Sequence, residues 1–261
     1  MKYIVRPCST IEDFKACMQM QREIWQFADL DITPLRVFLY TRHNGGITLG
    51  AFEKDGKLIG FSNALPAFDA HNRPYYYSQM TGVDKQKQNS GVGLQLKLAQ
   101  RDFALKRGIP LIVWTFDPLQ SRNAYLNIVK LGGVVRKYYV NHYGRLNAST
   151  LDRGLDTDRL SLEWWIRSER VTRALAGQLG REPPVATVAI PPETDKIEPR
   201  SIAEARRWQL EVRAAFLRRF AEGLYCTDFE RGRGDAPSRY LFFKDDQREI
   251  ESSYGAQVSG V

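Results

Sequence analysis

The sequence predicts an α/β fold in which helices flank a mixed β-sheet. Strand-like and helix-like segments alternate through the first two thirds of the chain, a pattern typical of layered folds of this class. The clearest transition lies at residues 79–108, where a buried strand leads through a glycine-containing loop into an amphipathic helix. The 261 residues are 43% apolar, which is enough for a sizeable core. This length fits one large domain or a domain with an extension.

The net charge of +8 favours polyanions in general. No basic run is interleaved with aromatic residues, however, and no nucleic-acid-binding motif is present. We therefore expect a solvated basic surface and no nucleic-acid partner. A nucleic-acid or ribosome partner is the alternative that the charge alone suggests, and it predicts steeply salt-dependent binding.

Composition also predicts the compartment. No apolar run is long enough to span a bilayer, and the start of the chain turns polar too quickly for a signal peptide. The three cysteines are odd in number and lack Cys-x-x-Cys spacing, and the three histidines show no metal-ligand spacing. We expect a cytoplasmic protein with reduced thiols, no membrane association and no metal.

The segments before residue 79 predict two helices and three strands. Ser9 and Glu12 predict a capping box that opens the first helix, and Pro34 is expected to open the second. The predicted strands cover residues 3–5, 47–52 and 58–65, with a hairpin turn between the last two. Residues expected in the core are Ile11, Phe14, Met18, Trp25, Phe38, Leu39 and Tyr40.

The loop between strand and helix has the form Gln88-x-x-Gly91-x-Gly93. Two glycines let the backbone turn tightly and approach a ligand closely, and the following helix directs its first N–H groups at the loop. A P-loop would require Gly-Lys-Ser/Thr, and the dinucleotide fingerprint would require glycine where Leu96 stands. The loop is therefore a candidate phosphate site of a different kind. The alternative is that the glycines serve chain geometry only.

Val83-Asp84 at the strand end, followed by residues 88–93, resembles the acetyl-CoA pyrophosphate loop of the GNAT acyltransferase superfamily. The downstream segments agree with this resemblance: a strand at 111–116 and a helix at 121–131 that ends at Gly132-Gly133. The resemblance covers about residues 2–168. The whole chain is most similar to a longer group of predicted acetyltransferases in that superfamily.

The resemblance implies a mostly antiparallel mixed sheet with flanking helices and acetyl-CoA as co-substrate. It implies transfer of an acetyl or other small acyl group to a small-molecule or peptide amine, by direct attack in a ternary complex. The pantetheine arm would pair with the central strand at residues 80–83, where Gly82 is expected to mark the bulge that opens a gap. The implied CoA-binding residues are Thr81, Val83, Gln88, Asn89, Ser90, Gly91, Val92, Gly93, Ser121 and Asn123.

Catalytic residues are harder to assign. Members of the superfamily often use a tyrosine on the second motif helix as general acid, but the matching position holds Ile128. Tyr125 lies three residues earlier, on the same side of an α-helix, and is the candidate acid; the alternative is a packing role. The central strand carries no carboxylate, so the base is Asp69, His71, His142 or a water chain. A non-catalytic CoA-binding or interaction protein on the same fold is the alternative function.

The sequence predicts an acyltransferase domain at residues 1–168, an α+β C-terminal extension at 169–245 and a flexible tail at 246–261. The acidic segment 147–158 is expected to be turn-like. In the extension we expect a helix at 169–179, a proline-rich linker or edge segment at 181–200, a helix at 201–222 and a last strand at 240–243. The long helix either packs on the catalytic domain or forms an acceptor lid or a homodimer contact.

Overall fold

The computed structural model describes residues 3–144, 155–180, 182–191 and 202–244. Internal contacts divide the described residues into two compact units, the first ending at Trp114 and the second beginning at Thr115. The predictions for 147–154, for 181 and 192–200 of the proline-rich segment, and for the tail 246–261 lie outside the described residues. The domain boundary at residue 168 stays a prediction.

The first unit contains a sheet in the order β1-β2-β3-β4-β5. The pairs β1–β2, β2–β3 and β3–β4 are antiparallel, and β4–β5 is parallel. This confirms the predicted mixed, mostly antiparallel sheet with helices between its strands. Its elements are β1 Tyr3–Pro7, α1 Ile11–Trp25, α2 Leu35–His43, β2 Ile47–Glu53, β3 Leu58–Phe68, β4 Pro74–Val83, α3 Val92–Leu105 and β5 Leu111–Phe116.

The capping box of α1 lies one residue later than predicted. The Thr10 hydroxyl, not that of Ser9, accepts a hydrogen bond from the Asp13 N–H. The Asp13 carboxylate, not that of Glu12, accepts a hydrogen bond from the Thr10 N–H. The reason is that Arg6 on β1 holds the Asp13 carboxylate with two hydrogen bonds of 2.9 and 3.0 Å. These bonds lower the pKa of Asp13 to about 2, against the opposing effect of burial.

The structure confirms only part of the core predicted for α1 and α2. Phe14 and Phe38 are buried as predicted and pack with Phe61 of β3. Ile11, in contrast, is 39% exposed and Tyr40 is 64% exposed, so both predictions were wrong. Met18, Trp25 and Leu39 are only partly buried, and α1 instead buries Cys17, Met20 and the polar Gln21.

The second unit has its own antiparallel strand pairs, in the order β7-β6-β9-β10-β8. The proline-rich segment contributes the edge strand β8, and β9 had not been predicted. The elements are α4 Ser121–Ala124, a π-helix at Tyr125–Lys130, β6 Val134–Tyr139, β7 Arg159–Trp165, α5 Glu169–Leu175, β8 Ala186–Ile190, α6 Ile202–Ala221, β9 Leu224–Glu230 and β10 Ser238–Lys244.

Helix α6 packs on the sheet of the second unit through Phe216. Its ring contacts Tyr138 of β6 and both Tyr240 and Phe242 of β10, with centroid distances of 4.9 to 5.7 Å. The long helix therefore joins β6 and β10, the two strands on either side of β9, in one aromatic cluster.

A buried ion pair fixes α6 beside this cluster. The side chain of Asp158 is fully buried, and its oxygens accept hydrogen bonds from Arg213 at 2.8 and 2.9 Å. Tyr138 donates to the same carboxylate at 2.6 Å, and Asp156 also binds Arg213. These bonds satisfy a buried charge, which would otherwise be costly.

Arg213→Met is expected to lower the free energy of unfolding by about 3 kcal/mol, because it leaves the buried Asp158 carboxylate without its counter-charge. Denaturant unfolding followed by far-UV circular dichroism measures the change. Arg218→Met, an exposed position on the same helix, is the control and should cost less than about 0.5 kcal/mol. Equal losses in the two variants would contradict the assigned role of Arg213.

Candidate active site

The central feature of the first unit is a point at which β4 and β5 stop pairing. The two strands pair at Tyr76–Ile112 and Tyr77–Val113. In the described residues no further pair joins them, although β4 continues to Val83. We call this point the fork. Ser78 on β4 and Trp114 on β5 are the first residues beyond it.

A β-bulge accompanies the fork. Ala64 and Asn63 of β3 pair with Ser78 and Met80, so Gln79 has no partner residue on β3. The extra residue re-aims the strand. The predicted position of the bulge at Gly82 was wrong: Gly82 pairs regularly with Phe61. Its missing side chain instead makes room for α1, since a Cβ there would lie 2.9 Å from Ile24 Cδ1.

Beyond the fork, β4 presents one backbone edge to β3 and leaves the other edge unpaired. In an antiparallel pair, alternate residues direct their N–H and C=O groups to either side of the strand. Between Met80 and Val83, the groups directed away from β3 can therefore pair with an extended ligand, as an added strand would.

The loop that follows β4 exposes its backbone at the start of α3. Asn89 and Gly91 have positive φ angles of 62° and 87°. The first helical bond runs from Gln95 N to Gly91 O, so the N–H groups of residues 92–94 precede it and have no intrahelical partner. Together with the positive helix end, this arrangement suits an anionic group.

The side chains of the loop stabilise the loop itself. Ser90 Oγ donates to the carbonyl of Lys87, and Gln88 Nε2 donates to that of Val83 at 3.4 Å. The side chain of Val92 is buried, so only its backbone can face a ligand. A Cβ added at Gly93 would meet only Val83 Cγ2, at an ordinary contact distance of 3.7 Å. Packing within the described chain thus does not require glycine at this position.

On the α1 side of β4, the bulge residue belongs to a chain of amide hydrogen bonds. Thr48 donates to Asn63, Asn63 Nδ2 donates to Gln79 Oε1 at 2.8 Å, and Gln79 Nε2 donates to Thr33 Oγ1 at 3.2 Å. Gln21 in turn accepts from the Thr33 N–H. These bonds fix the orientation of the Gln79 amide, which stands on the strand where the superfamily often has a carboxylate.

On the α3 side lies a residue that the sequence analysis missed. Lys97 is 4% exposed, and its Nζ donates to Ser78 Oγ at 2.9 Å and stands 3.7 Å from the centre of the Trp114 ring. Burial alone lowers its pKa to about 7. Helical spacing predicts a buried face of α3 at Val92, Leu96, Ala99 and Phe103. Val92 and Leu96 are buried, and the buried face also includes Lys97 and Gln100, which lie seven and four residues before the buried Ala104.

Thr81 and Val83, both predicted to contact CoA, lie on β4 beyond the fork. The Thr81 hydroxyl is buried and has no hydrogen-bond partner among the described residues. The unpaired edge of β4 and the loop after it thus form one continuous stretch, which contains Thr81, Val83 and residues 88–93. The assignment of these residues to CoA binding stays a prediction.

The remaining predicted site residues belong to the second unit. Ser121 is buried and shares a hydrogen bond with Ser238 at 3.0 Å, whereas Asn123 is exposed. Tyr125 begins the π-helix, and its ring lies 5.7 Å from both Lys130 Nζ and Arg231 Cζ. A helix does follow Ser121 as predicted, but it has α-helical pitch only at Ser121–Ala124 and π-helical pitch at Tyr125–Lys130. The argument that Tyr125 and Ile128 share one side assumes α-helical spacing, which a π-helix does not have.

The candidate bases differ in their environments. Asp69 accepts from the N–H groups of His71 and Arg73 and pairs with the Arg73 side chain. Burial would raise the pKa of Asp69, but these bonds outweigh it and leave that pKa lowered. The ring of His142 contacts those of Tyr139 and Tyr143 in tilted and edge-to-face arrangements, with centroid distances of 4.6 and 4.5 Å. Partial burial and the charge of Arg159 lower its pKa, which favours the neutral imidazole.

Within the parts of the chain that the structure describes, no group of histidine, cysteine or carboxylate side chains could hold a metal ion. The same parts contain no helix with the length and apolar character needed to cross a membrane.

Three solved structures illustrate what the fold is similar to. They are the NatC complex bound to Gag peptide and CoA, the ribosomal-protein-S18-alanine N-acetyltransferase from Escherichia coli, and a putative acetyltransferase from Salmonella typhimurium with acetyl-CoA. Each superposes with a TM-score of 0.50 at 15–16% sequence identity, covering 62–64% of this chain and 94–98% of the other. No family model and no curated protein sequence matches the chain. The structural likeness shows that the chain has the GNAT fold.

Lys97→Met is expected to raise the free energy of unfolding most below about pH 7. The pKa of Lys97 is about 7 in the folded chain, against about 10.4 for an unfolded lysine. Between these values the unfolded chain binds more protons, so wild-type stability rises with pH across that window. The advantage of methionine, on the order of a few kcal/mol at about pH 6, should therefore shrink towards about pH 10.

Urea unfolding of wild type and variant at several pH values measures this difference. Lys106→Met, an exposed lysine at the end of α3, is the matched control and should follow the wild-type pH dependence. If Lys97→Met is less stable than wild type at about pH 6, burial of the ammonium does not lower the free energy of unfolding of the wild type, and the prediction is wrong.

Proposed function

We propose that this protein is an acyltransferase that moves an acetyl or other small acyl group from acyl-CoA to an amine. One observation carries the proposal: within a single unit, the unpaired edge of β4 leads directly to a helix N-terminus opened by Gly91. An extended arm with an anionic head fits such a site, because the edge offers strand-like pairing and the helix end offers N–H groups to phosphate.

In this proposal the N–H groups of residues 92–94 and the loop from Gln88 to Gly91 hold the pyrophosphate. The arm then runs along β4 from Val83 towards the fork, and the thioester lies near the bulge. A backbone N–H of β4 there can stabilise the oxyanion of the tetrahedral intermediate. Holding donor and acceptor together removes the entropy cost of their encounter.

The acceptor is expected to be a small-molecule or peptide amine, and the reaction needs no covalent enzyme intermediate. The amine must be neutral when it attacks the thioester carbonyl. Asp69, His71, His142 and a water chain remain the candidate bases. The lowered pKa of His142 keeps its imidazole neutral and so available to accept a proton, whereas the lowered pKa of Asp69 makes its carboxylate a weaker base. Cytoplasmic location and a possible homodimer remain predictions.

A non-catalytic CoA-binding protein is the second candidate, because two expected catalytic groups are replaced. Ile128 is fully buried where a tyrosine is expected, and the amide of Gln79 is fixed in hydrogen bonds where a carboxylate is common. Incubation with acetyl-CoA and a panel of amines and peptides, followed by mass spectrometry, separates the two. Acylated product supports the enzyme, whereas binding of acetyl-CoA without product from any acceptor supports the second candidate.

Gly91→Glu is expected to abolish acetyl-CoA binding in calorimetric titration, because its carboxylate would stand among the N–H groups and repel the pyrophosphate. Gly56→Glu in the β2–β3 hairpin is the matched control. Both glycines have φ near +87°, at 87° and 86°, and in both the described chain leaves the Cβ position open. The backbone strain is thus the same, and only Gly91 lies at the loop.

Retained binding by Gly56→Glu and loss by Gly91→Glu would support the loop as the pyrophosphate site. If wild type itself does not bind acetyl-CoA, the glycine turn is only a turn and the proposed function is wrong. If both variants lose binding, strain rather than position is responsible, and the assignment of the loop fails.

Gly93→Ala is expected to separate stability from binding. Alanine is the better helix former, and its methyl group fits beside Val83, so the thermal midpoint should stay the same or rise, with a gain of up to about 1 kcal/mol. The same methyl group faces the proposed pyrophosphate, so affinity for acetyl-CoA should fall about tenfold, or about 1.4 kcal/mol. Unchanged affinity would place the phosphate away from Gly93.

A further inference from the structure

Lys97 joins the two strands on the α3 side of the fork. Its Nζ donates a hydrogen bond to Ser78 and lies over the ring of Trp114, the first residues of β4 and β5 beyond the last strand pair. The Ser78 hydroxyl donates a hydrogen bond to Gln100 Oε1 at 3.0 Å, and Gln100 Nε2 is buried without a partner among the described residues. The amine therefore lies at the point where β4 and β5 stop pairing.

Packing alone gives no reason for a lysine at this place. The groups that face Nζ are the hydroxyl of Ser78 on β4, the indole ring of Trp114 on β5 and, one turn along α3, the amide of Gln100. None of the three carries a charge, and burial is the only influence on the pKa of Lys97. A buried ammonium without a counter-charge destabilises a protein, and an apolar side chain of similar length would avoid this cost.

The length of the pantetheine arm places its sulfur near this amine. The five steps along β4 from Val83 back to Ser78 span about 16 Å at about 3.3 Å per residue. An extended chain gains about 3.6 Å for every three bonds, so the arm of about twelve bonds between pyrophosphate and sulfur reaches about 14 Å. A CoA with its pyrophosphate at the loop thus ends close to the fork.

We propose that Lys97 is the proton donor to the leaving thiolate of CoA, acting at the fork between β4 and β5. This inference rests on the proposed function and names a catalytic group within the same site. The acceptor nitrogen bonds to the carbonyl carbon, the C–S bond breaks, and its electron pair leaves on sulfur. The ammonium of Lys97 gives its proton to that sulfur. The proton released by the acceptor nitrogen returns through solvent to the neutral amine.

The acidity of the two partners suits this transfer. Burial brings the pKa of Lys97 to about 7. An ordinary thiol has a pKa of about 8.5, so the proton moves downhill from the ammonium to the thiolate. A general acid works best when its pKa lies near the working pH.

The test measures the ionisation of the CoA thiol in its complex, which requires no knowledge of the acceptor. Free CoA is bound to wild type, Lys97→Met, Ser78→Ala and Lys106→Met, and thiolate absorbance is recorded against pH after subtraction of the ligand-free protein. Because a thiolate beside Lys97 favours the ammonium form of the lysine, the two groups titrate as a coupled pair, and thiolate should form at lower pH in wild type and Lys106→Met than in Lys97→Met. Ser78→Ala, which loses the bond that holds Nζ, should give an intermediate value.

Calorimetry on the same samples separates the possible failures. CoA affinity should differ by less than about threefold between wild type and Lys97→Met, because the amine acts on sulfur and not on the phosphate. If wild type binds CoA but its thiol titrates as in Lys97→Met, this inference is wrong while the proposed function stands. If wild type binds no CoA, the proposed function fails and this inference fails with it.

With an acceptor in hand, Lys97→Met should lower kcat by about 10²- to 10⁴-fold and remove the decline of kcat above about pH 7. A variant that turns over at the wild-type rate with the wild-type pH profile would also overturn the assignment, whatever the thiol titration shows.

Discussion

The site depends on one interruption of backbone pairing, the fork at which β4 leaves β5. A strand edge in the interior of a sheet normally has its N–H and C=O groups paired, because unpaired buried groups are costly. Here the pairing stops after Tyr77 and Val113, and the bulge at Gln79 follows at once. The bulge also interrupts the alternation of side chains along β4. As a result the consecutive residues Gln79 and Met80 both face the α1–α2 side, where Gln79 donates a hydrogen bond to Thr33 and Met80 packs against the core. An edge that is opened in this way requires water or a ligand to satisfy it.

The two faces of the fork are polar for different reasons. On the α1 side, the chain from Thr48 through Asn63 and Gln79 to Thr33 uses neutral amides and hydroxyls, each of which is both donor and acceptor. Such a chain is satisfied internally and gives rigidity without charge. On the α3 side, Lys97 has a hydroxyl and an aromatic ring as partners and can hold or release a proton near neutral pH. In the proposed mechanism, opposite faces of one strand would thus provide rigid positioning and proton transfer.

The sequence predicts most of the first unit because its signals are local. The glycine loop, the Pro34 helix start and the β2–β3 hairpin depend on residues within a few positions of each other, and all appear in the structure. The errors arise where distant residues decide. Arg6 on β1 selects Asp13 over Glu12 for the capping box, and the bulge depends on the register between β3 and β4 rather than on Gly82. β9 was missed because its burial depends on pairing with β6 and β10. Lys97 was missed because a charged residue is normally assigned to the solvent face of a helix.

The position of Lys97 offers a physical account of why Ile128 can stand where a tyrosine is expected. A tyrosine on the second motif helix must present its hydroxyl at a fixed place, which requires a regular helix. Here that helix changes to π-helical pitch at Tyr125, so its side chains no longer follow the α-helical spacing. The first unit, in contrast, contains the N–H groups at the start of α3, the open edge of β4 and the amine of Lys97. Its elements α3 and β4 are linked by the hydrogen bond from Lys97 to Ser78. Under the proposed function, chemistry at the thioester would depend on the internal geometry of that one unit, and the second motif helix would not be required to supply an acid.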